Sequence, residues 1–387
     1  MTVSGFTSTG SKRPAALFGP EPPADLPIRM SRSQGARVWD AEGREYLDLL
    51  MALGAVSLGY GHPAVSRAAI GAIERGGVGP LPPIEEERLA ARLAGLLPWL
   101  EGIRFLKTGA EAVAAAIRLA RSATDRERIL GCGYHGWLDL TSTGPGIPET
   151  VRRGFATIPF NDVETAVRRI REAGDELAAV VVEPVVDGPP SGDWLECLRR
   201  EASRVGAVLV FDEIKTGFRL ALGGAVARWG VVPDLVVYGK ALGNGFPIAL
   251  VGGARRIMDQ VGRTWISSTL ATEFVALAAA EATVEQVVDL GVPAHLSRIG
   301  GLLHAGLEVL AGRFPGLVTG VLGIPEMTGL RFVSDEIGAA VAIATARRGL
   351  LFKRTAYNFV SLAHGEAEVA TALAILEESL TEVAGRC

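Results

Sequence analysis

Two stretches decide how this chain folds: Ala207-Val208-Leu209-Val210-Phe211-Asp212 and Leu235-Val236-Val237-Tyr238-Gly239-Lys240. Each is an apolar run of strand length without period-two alternation, the pattern of a strand buried on both faces. Each is also followed by a group capable of chemistry, a carboxylate at Asp212 and an amine at Lys240. Open sheets flanked by helices bind ligands beyond the carboxyl ends of their strands. An acid and an amine delivered there on neighbouring strands face one small molecule.

Working outward, strand and helix signals alternate from about Ile103 to about Val251, which predicts an α/β fold with a mostly parallel sheet covered by helices. The expected strands are Ile103–Leu106, Arg128–Gly131, Ala179–Val182, the Ala207 and Leu235 runs, and Ala249–Val251. A helix is expected from Glu111, amphipathic over Val113–Arg121. The first 55 or so residues are rich in turns and contain a hairpin pattern, Arg37 to Tyr46, turning near Glu42-Gly43. Beyond about Val284 come helical stretches and two short strand candidates, Gly329–Val333 and Phe359–Leu362. The expected organisation is 1–55 as an N-terminal arm and hairpin, 56–284 as the large domain, and 285–387 as the C-terminal part. Both chain ends together would build a smaller α+β domain.

The composition, 387 residues with 48% hydrophobic and 21% charged, is that of a globular protein with a large core. A net charge of −4 with scattered Lys and Arg carries no footprint for nucleic acid or an anionic membrane, so small-molecule partners are expected. Cys132, Cys197 and Cys387 are too far apart for a metal site or a disulfide framework, and no metal is expected. A reducing cytoplasmic location fits, and Met1–Lys12, polar and without an apolar core, reads as a flexible arm rather than a secretory signal.

The pairing of Asp212 with Lys240 suits pyridoxal 5'-phosphate (PLP), whose aldehyde needs a lysine amine and whose ring nitrogen needs a carboxylate. Each residue alone also reads blandly, as a helix cap or a solvated lysine; the neighbouring residues decide. Thr108, Gly109 and Ala110 open a helix whose N-terminal N–H groups can hold a phosphate. Gly131-Cys132-Gly133-Tyr134-His135-Gly136 satisfies the dinucleotide fingerprint G-x-G-x-x-G, but Gly144-Pro145-Gly146 soon comes where a helix should run, so that reading is rejected. Tyr134 suits stacking on a flat ring, with Ile214 pressing on the opposite face. His135 reads either as a hydrogen-bond partner near the cofactor or as a buried structural histidine. Glu183, ending its strand, is expected to act through a neighbour rather than directly.

At these residues the chain resembles the class III PLP-dependent aminotransferases, and within them the glutamate-1-semialdehyde aminomutase branch. The likeness runs from about Ile28 to His364. Its strongest elements are Asp212-Glu213-Ile214-Lys215-Thr216-Gly217-Phe218-Arg219, Gly223-Gly224, Pro233-Asp234-Leu235 and Gly239-Lys240-Ala241-Leu242-Gly243-Asn244-Gly245-Phe246-Pro247. Asp40-Ala41-Glu42-Gly43, Gly59-Tyr60-Gly61-His62-Pro63, Tyr134-His135-Gly136 and Ser361-Leu362-Ala363-His364 match weaker family motifs. The resemblance implies a fold-type-I PLP transferase that works as a homodimer with shared active sites. It implies Lys240 as the Schiff-base lysine, Asp212 as the ring-nitrogen partner, Tyr134 and Ile214 as the ring sandwich, and Thr108, Gly109 and Ala110 as the phosphate cup. Thr269 matches the threonine that reaches the neighbouring subunit's phosphate, although Thr272-Glu273-Phe274 replaces the family's usual Gly-Asn-Pro. Arg32 matches the aminomutase arginine that grips a carboxylate.

Other departures bear on the reaction. The path from Trp137 to Pro159 is shorter than the aminomutase loop, Ala52-Leu53 stands where an aromatic lines the aminomutase pocket, and Lys353-Arg354 stands near a missing acidic residue. The expected activity is therefore a ping-pong aminotransferase acting on an amino donor such as glutamate and a keto or aldehyde acceptor, a sugar, cyclitol or other specialised metabolite. An aminomutase and a non-catalytic PLP-binding paralogue are the alternatives. Arg354, with Lys353, is a candidate for an acidic group on the acceptor, against a reading of both as solvated cations.

Overall fold

A computed structural model describes residues 3–386; Cys387 lies outside the described residues. The described residues form two compact units, one of Pro63–Pro293 and one joining 3–62 with 294–386.

In the chain-end unit, β1 (Met30–Gln34), β2 (Arg37–Asp40) and β3 (Glu45–Asp48) form an antiparallel meander. Its hairpin turn is organised by Asp40, whose carboxylate accepts from the Glu42 and Arg44 backbone N–H groups, the Arg44 side chain and the Tyr46 hydroxyl. The resulting interactions hold the Asp40 carboxyl below its usual range despite burial.

In the Pro63–Pro293 unit seven strands are formed: β4 (Gly102–Leu106), β5 (Arg128–Cys132), β6 (Phe155–Thr157), β7 (Leu177–Val182), β8 (Val208–Asp212), β9 (Leu235–Tyr238) and β10 (Ala249–Gly253). Their order in the sheet is β4-β10-β9-β8-β7-β5-β6. Strands β5 to β9 run parallel, whereas β10 is antiparallel to both β9 and β4. Being reversed twice, β4 points the same way as the parallel five. Six strands therefore end at one edge of the sheet, where Lys107, Gly133, Ile158, Glu183, Glu213 and Gly239 begin the connecting loops.

Successive strand residues face opposite sides, and both sides are buried. Val208, Val210, Leu235 and Val237 pack with the helix Gly109–Thr124; Leu209, Phe211, Val236 and Tyr238 pack on the other face. The helix presents Ala112, Ala115, Ala116 and Ala120 around Ile117 and Leu119, so small side chains let it lie close to the sheet. Burying Ile117 or Leu119 stabilises the unit by about 1.5–3 kcal/mol each. The alternation places Asp212 on the side of this helix and Glu213 on the other.

Returning to the chain-end unit, β11 (Val318–Ile324), β12 (Met327–Phe332), β13 (Leu350–Leu351) and β14 (Asn358–Phe359) complete the strands. β13 joins β3 in parallel, and β11-β12-β14 form a separate sheet. The second strand candidate is only two residues long. Beyond it, Ser361 donates its N–H to Nδ1 of His364, which turns the chain before pairing can continue.

Two other expectations are corrected here. The segment preceding Arg13 is not a free arm throughout, because Gly10–Lys12 form a 3-10 turn and Lys353 Nζ donates to the Ser11 carbonyl. Lys353 and Arg354 are not solvated: both are buried, and Arg354 pairs with Asp335 at 2.6 Å. Burial pushes the Lys353 amine below its usual range.

Met51, Ala52 and Leu53 have φ of +43°, +50° and +61°, and Gly54 +84°, one turn of left-handed helix. Asp48 holds its entry by accepting from the Leu50 and Met51 N–H groups at 2.8 and 3.1 Å, and from the Tyr60 hydroxyl at 2.7 Å. Gly54 closes it against the Phe359 ring, where a Cβ would lie 2.8 Å from the nearest ring carbon. Each non-glycine residue held this way costs roughly 1–2 kcal/mol.

Candidate active site

Asp212 ends β8 in register with Val237 of β9, and Lys240 lies three residues further along that adjacent strand's path. Lys240 has φ of +44°, an uncommon conformation for a side-chain-bearing residue, directly after an extended Gly239. Such strain persists only where the surroundings fix it, and it clusters at functional sites. Dense surroundings pull the Lys240 amine down to about 8, first through loss of hydration and then through the nearby Lys215 charge; the Glu183 and Asp212 carboxylates oppose the shift. A substantial neutral fraction near pH 8 is what a nucleophilic amine requires.

His135 and Asp212 form a buried pair, Nδ1 to Oδ2 at 2.8 Å, with both side chains about 1% exposed. The other Asp212 oxygen accepts from the Ile214 N–H at 3.2 Å. His135 Nε2 is buried without a partner among the described residues. In the sequence His135 fits two roles, and the fold brings it onto Asp212. Glu183 has both oxygens engaged, one by the Tyr134 N–H at 3.0 Å and one by Lys215 Nζ at 2.7 Å. It fixes the backbone that carries Tyr134. Tyr134 itself is 68% exposed.

The helix expected from Glu111 starts at Gly109, because Thr108 is its N-cap in a capping box. The Thr108 hydroxyl accepts from the Glu111 N–H, and the Glu111 carboxylate accepts from the Lys107 and Thr108 N–H groups and the Thr108 hydroxyl. Thr108 therefore caps this helix, and Gly109 and Ala110 place their N–H groups at its positive end. A Cβ on Gly109 would lie 2.3 Å from Ile214 Cδ1, and one on Gly136 2.6 Å from the Ala110 Cβ. Only glycines at these points let the Tyr134 turn, the Ile214 segment and the helix start converge. Gly133 and Gly136 have φ of +105° and +98°, and the next element along the chain is a single 3-10 turn at Asp139–Thr141, so this G-x-G-x-x-G does not open a helix.

Thr269 is exposed in the segment before the helix Phe274–Asp289. Arg32, in the chain-end unit, is exposed on β1 with its guanidinium 3.8 Å from the Trp39 ring centroid. Arg354, in the same unit, directs its guanidinium to Asp335 and the Ala15 carbonyl.

A family profile described as aminotransferase class-III matches residues 20–380. The chain belongs to the class III aminotransferases. It is 35% identical over 397 residues to a glutamate-1-semialdehyde 2,1-aminomutase of Thermomicrobium roseum, covering 92% of each chain. Among solved structures it is similar to the PLP internal aldimine form of the FumI protein of Sphingopyxis sp. MTA144, with a TM-score of 0.91, 27% identity and coverage of 98% and 93%. An omega-transaminase from Sphaerobacter thermophilus matches with a TM-score of 0.86, 28% identity and coverage of 92% and 91%. As a class III aminotransferase the chain is a PLP-dependent enzyme of the fold-type-I architecture.

The residues present fit that cofactor. A half-buried amine with a depressed pKa, a buried carboxylate already oriented by an imidazole, an exposed tyrosine and a glycine-lined helix start converge at one sheet edge. Sequence reasoning missed the buried Glu213. Its carboxylate accepts from the Ala225 and Val226 N–H groups and the Thr216 hydroxyl, and burial pushes it up to about 7. It caps the helix Gly224–Trp229 on the face opposite Asp212, and the Gly223-Gly224 pair beside it was the only signal.

Proposed function

We propose that this aminotransferase takes an amino group from an amino acid such as glutamate and delivers it to a keto or aldehyde acceptor, a sugar, cyclitol or other specialised metabolite. The observation that carries the residue roles is the delivery of Lys240 and Asp212 by adjacent strands, with the Lys240 amine drawn down to about 8. PLP supplies an aldehyde that takes up amines and a ring that stores the electrons of the bond broken at the substrate carbon.

The chain's own groups do the rest. Asp212 holds the proton of the ring nitrogen, and His135 keeps that carboxylate aimed. Lys240 would hold the cofactor through its amine and, as a general base and acid, would carry a proton at the reacting carbon. Tyr134 and Ile214 would hold the cofactor ring from its two faces. The Gly109 and Ala110 N–H groups hold the phosphate, and Glu183 acts by fixing the Tyr134 backbone. Arg32, an exposed residue of β1, is assigned to the donor carboxylate on the family resemblance. Arg354, committed to Asp335, is the weaker candidate for the acceptor.

We assign a homodimer with Thr269 reaching the neighbouring phosphate. Val78, Leu81, Trp265 and Leu270 are exposed apolar residues, and the Phe274 N–H donates to the Gly77 carbonyl, which links the segments carrying them. Clustered exposed apolar side chains mark interfaces. A glutamate-1-semialdehyde aminomutase is the second reading, favoured by the 35% identity to the Thermomicrobium roseum protein.

The test is the absorption spectrum of the PLP-loaded protein before and after L-glutamate. Conversion to the pyridoxamine form supports the donor assignment. Absence of conversion, with turnover of glutamate-1-semialdehyde alone, supports the second reading instead.

A further inference from the structure

Lys107, the residue immediately before the cup, does not point into open solvent. Its Nζ lies 2.6 Å from Glu273 Oε1, and the two side chains are only 13% and 17% exposed. Glu273 is the N-cap of the helix Phe274–Asp289 and accepts from the Val275 and Ala276 N–H groups at 2.7 and 3.0 Å. The carboxylate is thus fixed in place independently of Lys107. Two further cations on the same strand and helix hold the other end of this segment, Arg104 donating to the Ile266 carbonyl and Arg118 to the Trp265 carbonyl.

With a phosphate in the cup, Glu273 would be a like charge close by, and Lys107 is the cation that pairs with it. A carboxylate anchored within about 13 Å of the cup, the reach of one Cα step, one lysine side chain and one ion-pair contact, would repel a phosphate carrying close to two negative charges. Partial burial weakens the screening that water would otherwise provide. We propose that Lys107 is a positioning residue for phosphate recognition, neutralising Glu273 so that the helix cap and the phosphate cup can coexist. This rests on the assignment of Thr108–Ala110 to the cofactor phosphate. Lys107 acts through Glu273 and touches no reacting atom.

The test compares the affinity of the cofactor-free protein for PLP with its affinity for pyridoxal, which lacks the phosphate, by equilibrium absorbance or fluorescence titration. Lys107→Met should lower the PLP-to-pyridoxal affinity ratio by roughly tenfold. Glu273→Gln, which keeps an acceptor for the helix cap, should leave the ratio at or above its original value, and the double variant should recover it. A ratio unchanged in Lys107→Met, or an equal loss for both ligands, overturns the proposal as a merely structural effect. A recovery that fails in the double variant also overturns it, since Glu273 would then not be the charge being masked. If the unaltered protein shows no preference for PLP over pyridoxal, the cup assignment itself fails and this proposal with it. Thermal unfolding of each cofactor-free variant separates a folding defect from these outcomes, and Lys107→Arg, which keeps the charge, should retain the original ratio.

Discussion

Removing the imidazole from Asp212 should reveal how strongly that carboxylate depends on it. In the folded chain His135 Nδ1 donates to Asp212 Oδ2 at 2.8 Å with both side chains 1% exposed, so water cannot replace the lost bond. A hydrogen bond to a charged group contributes about 1.5–3 kcal/mol, and loss of a partner leaves the remaining group buried and unsatisfied. His135 also carries an unpartnered Nε2, and replacing it by Phe removes that buried group, offsetting about 1 kcal/mol. His135→Phe alone should therefore destabilise the cofactor-free protein by only about 1 kcal/mol. The pairwise coupling, from a cycle with Asp212→Ala and the double variant, should be about 2 kcal/mol. The Ile214 contact is lost in both arms containing Asp212→Ala and cancels. Urea denaturation at pH 7 measures all four proteins. A coupling below about 0.5 kcal/mol would refute the claim that His135 orients Asp212.

Three further outcomes are expected of the same fold. His364 accepts from the Ser361 N–H at Nδ1, and its Nε2 lies 3.2 Å from the Asp48 carbonyl; burial lowers it to about 4 against 6.5 in the unfolded chain. Its contribution is present above pH 6.5 and is lost as pH falls to 4, about 3 kcal/mol in all, so His364→Gln should flatten that limb of a stability-versus-pH curve. Ala52→Gly should stabilise the protein by up to about 1 kcal/mol in denaturant titration, because φ of +50° strains alanine and not glycine. Gly253→Ala should cost about 3 kcal/mol or more in the same assay, since at φ +151° its Cβ would meet the Asp234 carbonyl oxygen at 2.2 Å.

The sheet was legible because its strands are buried on both faces, and the runs ending at Asp212 and Lys240 are too apolar to sit elsewhere. The reversed direction of β10 was not, since Ala249-Leu250-Val251 carries no directional information. The residues proposed to contact the ring were legible as a constellation, Tyr134 after one strand and Ile214 after another, whereas the partner of His135 lies 77 positions away. Lys107 and Glu273 are separated by 166 positions, and a lysine before a helix looks solvated until its partner folds against it. Lys353 and Arg354 misled for the same reason. Their polar partners, Ser11 and Asp335, come from distant segments, and charge alone pointed to water.

The central claim is that Lys240, and no other lysine, carries the cofactor. Reducing the PLP-loaded protein with borohydride and mapping the modified peptide by mass spectrometry tests it directly. A single phosphopyridoxyl label on Lys240, absent from Lys240→Ala, is the expected result. A label on the neighbouring Lys215, or no label while the protein still retains PLP, would contradict it.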